Sequence, residues 1–229
     1  MEGSWVDDPS MPSNLTDGMA FETNMVAESR GQCTSIGNLN SSSTNSPVDN
    51  TFFIAAGREI ITAEYGEETS PRRQIMNQAD IFYFSGHGDH GSGTLEGVGA
   101  ADVGDYWRQD LDIAVFSACS VLDINDYNLN FVIVGQHSVS PGKQWEQTGV
   151  QYLLGYNGVA PTDLQGTANI IADFLANKDT LGVIGAWRIA NENAHTWNAC
   201  AIEKDVAYYY FNNLIPFLHT WETVPKGSW

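Results

Sequence analysis

The chain predicts a three-layer α/β fold, with one mostly parallel sheet and helices on both faces. Two short apolar runs, "DIFYFSG" and "LDIAVFSA", show no alternation of polar and apolar residues. That is the pattern of strands covered on both sides. A third run, "GVQYLLGYNG", is followed by "TDLQGTANIIADFLANKDT", which puts Ile170, Ile171, Phe174 and Leu175 on one helical face. Strands alternating with helices favour parallel pairing and a covered sheet.

Taken in order, residues 1–50 are rich in Ser, Asn, Thr, Asp and Gly, and "GNLNSSSTNSPVDN" reads as loop. Within them "MAFETNMV" is expected to form a short strand. The stretch "TFFIAAGREIITAEYG" offers a strand running into a helix, and "SPRRQIMNQA" a short helix with Ser70 as cap and Pro71 at its first position. "FVIVGQH" reads as a strand or a buried loop. After the helix in "TDLQGTANIIADFLANKDT", "LGVIGAWRIANENAH" is expected to be a second helix and "AIEKDVAYYYFNNL" a third, its aromatic run packed on the sheet. Trp187 is expected in the core. The organisation is a polar N-terminal segment, 1–50, that is part of the same domain or prosegment-like, and an α/β domain over 51–229. "SSSTNSPVD" is the place for a cleavage in the second case.

Bulk composition narrows the function classes. With 229 residues, 42% of them hydrophobic, the chain is long enough for one substantial core. Its 28 acidic and 10 basic residues give a formal charge of −18. Such a surface repels phosphate backbones, so no nucleic-acid partner is expected. Cationic peptides and divalent ions suit it, although solubility alone explains it. Three cysteines, Cys33, Cys119 and Cys200, cannot all pair and have no C-x-x-C spacing, so neither a disulfide framework nor a zinc ribbon is expected. Cys33 reads as incidental in a polar loop and Cys200 as a core thiol in a helix. No apolar segment approaches the ~18 residues of a membrane span. "MEGSWVDDPSMPSNLTDG" lacks a basic region followed by an apolar run, so a signal peptide is not expected and a cytoplasmic location is.

The chemistry concentrates where the two clearest strands end. His87 follows "IFYFSG" and Cys119 follows "IAVFSA". In an open parallel sheet, functional groups collect at the carboxyl ends of the strands. Neighbouring strands lie about 4.8 Å apart, so parallel neighbours would bring imidazole and thiol to one edge. The thiolate is the nucleophile, and an imidazole beside it can take up a proton and return it to a leaving amine. Glycines 86, 88, 91 and 93 let backbone approach a substrate closely. The amides of Gly88 and Cys119 are candidates for an oxyanion hole.

"YFSGHG" followed by "AVFSAC" resembles the caspase-fold cysteine peptidases, the group of metacaspases, gingipain- and clostripain-like peptidases, separases and CHAT domains. The resemblance covers roughly residues 79 to 200 and includes "GVQYLLGYNGVAPTD" and "LGVIGAWRIANENA". It implies a caspase-like three-layer fold, His87 as acid/base, Cys119 as nucleophile, and the Gly88 amide in the oxyanion hole. The substrate class it implies is a peptide or protein. The chain departs from the group at three places. Q-A-C-x-G is absent, since Ser117 precedes Ala118 and Val121 stands where its Gly would be. The position two before the cysteine is Ser117 where metacaspase-like members carry Asp, so this motif does not support specificity for Arg or Lys. The interval from His87 to Cys119, 32 residues, is short for the group.

Candidate substrate contacts are Ser85, Asp89, His90, Ser117 and Asp123. The acidic residues Asp89, Asp102, Asp105, Asp123 and Asp126 read as a solvated rim, with a bound basic side chain or calcium ion as the alternative. No motif requires a cofactor, and none is expected. His87, Asp89 and His90 match half of the H-x-H-x-D-H metal pattern, but Ser85 replaces its first histidine. The leading expectation is a cysteine endopeptidase-like hydrolase. Its alternatives are acyl transfer by the same dyad, a non-catalytic interaction module and a metal-dependent hydrolase.

Overall fold

The computed structural model describes residues 3–7, 20–21, 24, 80–89, 93–95, 99–103, 107, 111–124, 140–161, 166–215 and 218–229. The expectations for "TFFIAAGREIITAEYG", "SPRRQIMNQA" and "FVIVGQH", and the loop around Cys33, lie outside these residues. The strands are β1 (Gly3–Asp7), β2 (Ile81–Ser85), β3 (Gly88–Asp89), β4 (Thr94–Leu95), β5 (Ile113–Ser117), β6 (Tyr152–Tyr156), β7 (Ala199–Glu203), β8 (Ala207–Ile215) and β9 (Leu218–Pro225). The helices whose bounds lie among the described residues are α1 (Ala100–Val103), α2 (Pro141–Glu146), α3 (Thr167–Leu181) and α4 (Val183–Asn193).

Among the described residues seven strands form one mixed sheet in the order β1-β2-β5-β6-β7-β8-β9, and β3 and β4 form a separate small hairpin. β1, β2, β5 and β6 run parallel, and the sheet then continues antiparallel through β7, β8 and β9. The expected α/β class and parallel nucleus are present. β2 and β5 are buried along their whole length, which is why neither alternates in sequence.

Successive residues of these strands feed two cores on opposite faces. Phe82, Phe84, Ala114, Phe116 and Leu153 pack with Trp107 and Trp145 under α1 and α2. Ile81, Tyr83, Ile113, Val115 and Leu154 pack with Ile170, Phe174 and Trp187 of α3 and α4 on the other side. Three layers result. In the first core Trp145 lies 4.7 Å from Phe116 and stacks on Trp107 at 5.7 Å. Aromatic pairs of this kind add about 0.5–1.5 kcal/mol each beyond area burial. Trp187 is buried as expected, and its indole N–H donates to the Cys200 carbonyl at 3.0 Å.

Three local expectations change. "AIEKDVAYYYFNNL" is not a helix: it forms β7, a turn, and β8, with Glu203 opposite Ala207. Asp205 holds a left-handed backbone, φ +60°, in that turn. From Ala207 to Phe211 every residue is apolar or aromatic, so the helical and strand periods both fit there. Tyr208 and Tyr210 join one core while Tyr209 and Phe211 join the other, a period of two. Cys200 is therefore a core residue of a strand rather than of a helix. In "MAFETNMV", Ala20, Phe21 and Asn24 are helical, with Asn24 donating to the Ala20 carbonyl one turn back. Separately from these changes, the polar N-terminal segment contributes β1, paired in register with β2 from Gly3↔Ile81 to Asp7↔Ser85.

Candidate active site

The two strands that lead into His87 and Cys119 are direct neighbours. β2 pairs with β5 in parallel, with Ser85 opposite Ser117. The ladder extends one step further, where the Gly86 amide donates to the Ser117 carbonyl at 3.2 Å. His87 and Cys119 each stand two residues beyond this matched pair. They leave the sheet at the same edge and at the same height.

The turn after β2 is pressed onto the turn after β5. A Cβ added to Gly88 would lie 2.4 Å from the Cys119 carbonyl oxygen, 2.4 Å from Val121 Cγ2 and 2.9 Å from the Cys119 nitrogen. Only glycine permits that approach. The two candidate oxyanion donors thus sit on touching segments of backbone.

Both turns are anchored on α2. On the histidine side, the β3–β4 hairpin closes through a bond from the Gly93 amide to the Asp89 carbonyl, 2.7 Å, and Trp145 donates to the Gly93 carbonyl at 2.7 Å. On the cysteine side, the Gly142 amide donates to the Asp123 carbonyl at 3.0 Å. One short helix, nailed into the core by Trp145, sets the position of both arms.

Beyond Val115↔Leu154 the ladder between β5 and β6 ends. The chain after Cys119 takes over as partner of β6: the Ser120 amide donates to Gly158 and the Leu122 amide to Tyr156. Ser120 needs φ +55° to make this turn. Gly155 makes room for it, since a Cβ there would come within 3.0 Å of Leu122 Cδ1. The Cys119 thiol is half-buried rather than sealed in the core, and the Ala160 amide points at its sulfur from 3.4 Å. His87 is exposed.

Cys200 differs in every respect. It is fully buried, its thiol faces the Leu122 carbonyl at 3.8 Å, and burial pushes its pKa far up despite a bond with Tyr208. It remains a protonated core thiol.

The other sequence candidates fall at different depths. Ser85 and Ser117 are buried strand-end residues, and Asp123 is buried too. Asp89 is exposed in β3, opposite Thr94. His90, Asp105 and Asp126 lie outside the described residues, so the half-pattern His87, Asp89, His90 is described only in its first two members. Among the described residues no group of three His, Cys, Asp or Glu side chains is placed to hold a metal ion. No described helix is long and apolar enough to cross a membrane.

A cleft that sequence reasoning missed opens beside the thiol. It measures about 560 Å³ and runs from Val159 and Ala160 past Trp197 to Asn213 and His219. These residues come from four separate stretches of chain, and only "HTWNA" with its clustered rings hinted at them. No protein-family model matches the chain, and no curated protein matches it.

Proposed function

We propose that the protein is a cysteine peptidase-like hydrolase of caspase-like fold, working through a His87/Cys119 dyad. The observation that carries this reading is the equal offset of the two residues from the Ser85↔Ser117 pair on adjacent parallel strands. A structural role requires neither residue at that edge, nor Gly88 against the backbone of Cys119. The resemblance of "YFSGHG" and "AVFSAC" to the caspase-fold peptidases supports the same assignment.

The chemistry balances with these groups alone. His87 accepts the thiol proton, and Cys119 Sγ attacks the peptide carbonyl carbon. The amides of Gly88 and Cys119 donate to the oxyanion that forms. The C–N bond breaks, His87 gives its proton to the departing amine, and a thioester remains. Water then adds to the thioester, giving up one proton by way of His87 to the sulfur, and the acid product and the free thiol are released.

The test is brief iodoacetamide labelling at neutral pH, followed by peptide mapping of the intact protein and of His87→Ala. The expected result is labelling confined to Cys119 and slowed about 10-fold without the imidazole. A peptide library incubated with the protein should then show new termini that vanish in Cys119→Ser. A Cys119 that reacts like an ordinary thiol in both proteins, with no cleavage before or after calcium is added, replaces the peptidase with a non-catalytic interaction module.

A further inference from the structure

We propose that the cleft beside Cys119 is the subsite for a substrate side chain next to the attacked bond, and that it takes an aromatic ring. The inference rests on the peptidase reading and adds the substrate class. The link to the nucleophile is one hydrogen bond long: Ala160, whose amide donates to Cys119 Sγ at 3.4 Å, is itself part of the cleft wall. A side chain held there lies within one residue's reach of the thiol.

One wall is apolar. Val159, 69% exposed, is among the largest apolar side chains the described surface leaves in water. The facing wall is made of planar rings. Trp197 and His219 stack with centroids 4.2 Å apart and planes 11° from parallel. His195 stands tilted beside the indole at 5.8 Å.

This wall is set before any ligand arrives. Asn213 clamps it from below, donating to the Trp197 carbonyl at 2.7 Å and meeting His219 Nδ1 at 2.7 Å through its side-chain oxygen. Phe211 supports the indole edge-on at 5.3 Å. His195 is locked in a left-handed turn, φ +56°, by bonds from its own amide to Glu192 and from Thr196 to Asn191. Rings fixed in this way bind another ring with little further loss of side-chain freedom.

Charge points the same way. In a protein of formal charge −18, the described residues around this cleft include no Asp, Glu, Lys or Arg. A subsite for an arginine, lysine or carboxylate side chain needs an opposite charge or a fork of donors. Stacking and apolar contact are what this cleft offers, and aromatic residues gain most from both.

The experiment uses the full chain and peptidyl acyloxymethyl ketones that differ only in the residue beside the ketone: Phe, Ala, Arg or Asp. The Cys119 sulfur bonds to the ketone's methylene and displaces a carboxylate, so labelling rates read subsite preference directly by intact mass. The Phe reagent is expected to react about 10-fold faster than the Ala reagent. That ratio should fall close to one in Trp197→Ala and in His219→Ala. A ratio measured within one protein is insensitive to the fraction folded. An Arg or Asp reagent that outpaces Phe, or a ratio that survives both substitutions, overturns the subsite while leaving the dyad standing. If no reagent labels Cys119 in a manner dependent on His87, the peptidase reading fails and the subsite with it.

Discussion

Gly88 is the residue on which the site turns. It carries no chemistry in its side chain, yet the space for one is taken by the Cys119 carbonyl and Val121 at 2.4 Å. Both neighbours belong to a turn held at Tyr156 and Gly158, so neither can retreat cheaply. Gly88→Ala is therefore expected to separate His87 from Cys119. Peptide cleavage should be lost and stability should drop by about 1–3 kcal/mol, measured by urea denaturation. Gly185→Ala is the matched control, since a Cβ there meets only Leu181 at 3.5 Å in a helical backbone. It should leave cleavage intact and raise stability by about 0.4–1 kcal/mol. The importance of Gly88 was half legible. "GHG" announced a tight approach, but not which backbone it approaches.

Among the elements, β7 and β8 replace an expected helix, and with β9 they form one antiparallel ribbon. Their tyrosines are tied to carboxylates on the same ribbon. Tyr209 donates to Glu203 at 2.8 Å and Tyr210 to Glu222 at 3.1 Å. Burial first, and then the bond and charge of Glu203, push the Tyr209 pKa up to about 12 from 10.0. Between those values the folded chain keeps a phenolic proton that the unfolded chain has lost. Stability from this group is thus full below pH 10 and is lost as pH rises toward 12. Tyr209→Phe should unfold less steeply over that window in alkaline denaturation followed by circular dichroism. An unchanged slope would mean that Tyr208, Tyr210 and Tyr152, whose pKa values are also raised, dominate the transition. The same ribbon supplies Asn213 and His219 to the cleft, so its being sheet rather than helix is what brings these two residues to it.

For the whole molecule, the formal charge of −18 is the dominant field. Like charges repel more in the compact state than in the extended one, and salt screens them. Raising ionic strength from ~10 mM to ~150 mM is expected to raise Tm by a few degrees. Calorimetry checks this, and a Tm that falls with salt would show that favourable ion pairs outweigh the repulsion. The ion pair between exposed Lys226 and buried Glu146, with Trp229 4.9 Å from the ammonium, is one such favourable contact. It fastens the end of the chain to α2, the helix that also positions both arms of the site.

Local pattern by itself determined much of this protein. Unbroken apolar runs marked β2, β5 and β6 as strands covered on two faces, and 3.6-residue spacing marked α3 with Ile170, Ile171, Phe174 and Leu175 inward. Placing His87 and Cys119 after matching runs followed from the same reading, because a strand's end is a local property of the chain. Tertiary structure decided what local pattern leaves degenerate. "AYYYF" satisfies both periods, and only partners on each side of it, β7 and β9, select the strand. "GSWVD" carries too few residues to announce itself and becomes β1 because β2 offers a free edge. The cleft joins Ala160, Trp197, Asn213 and His219 across four stretches of chain. Contacts of that range come from the side-by-side pairing of β6, β7, β8 and β9, and no short window of sequence contains them.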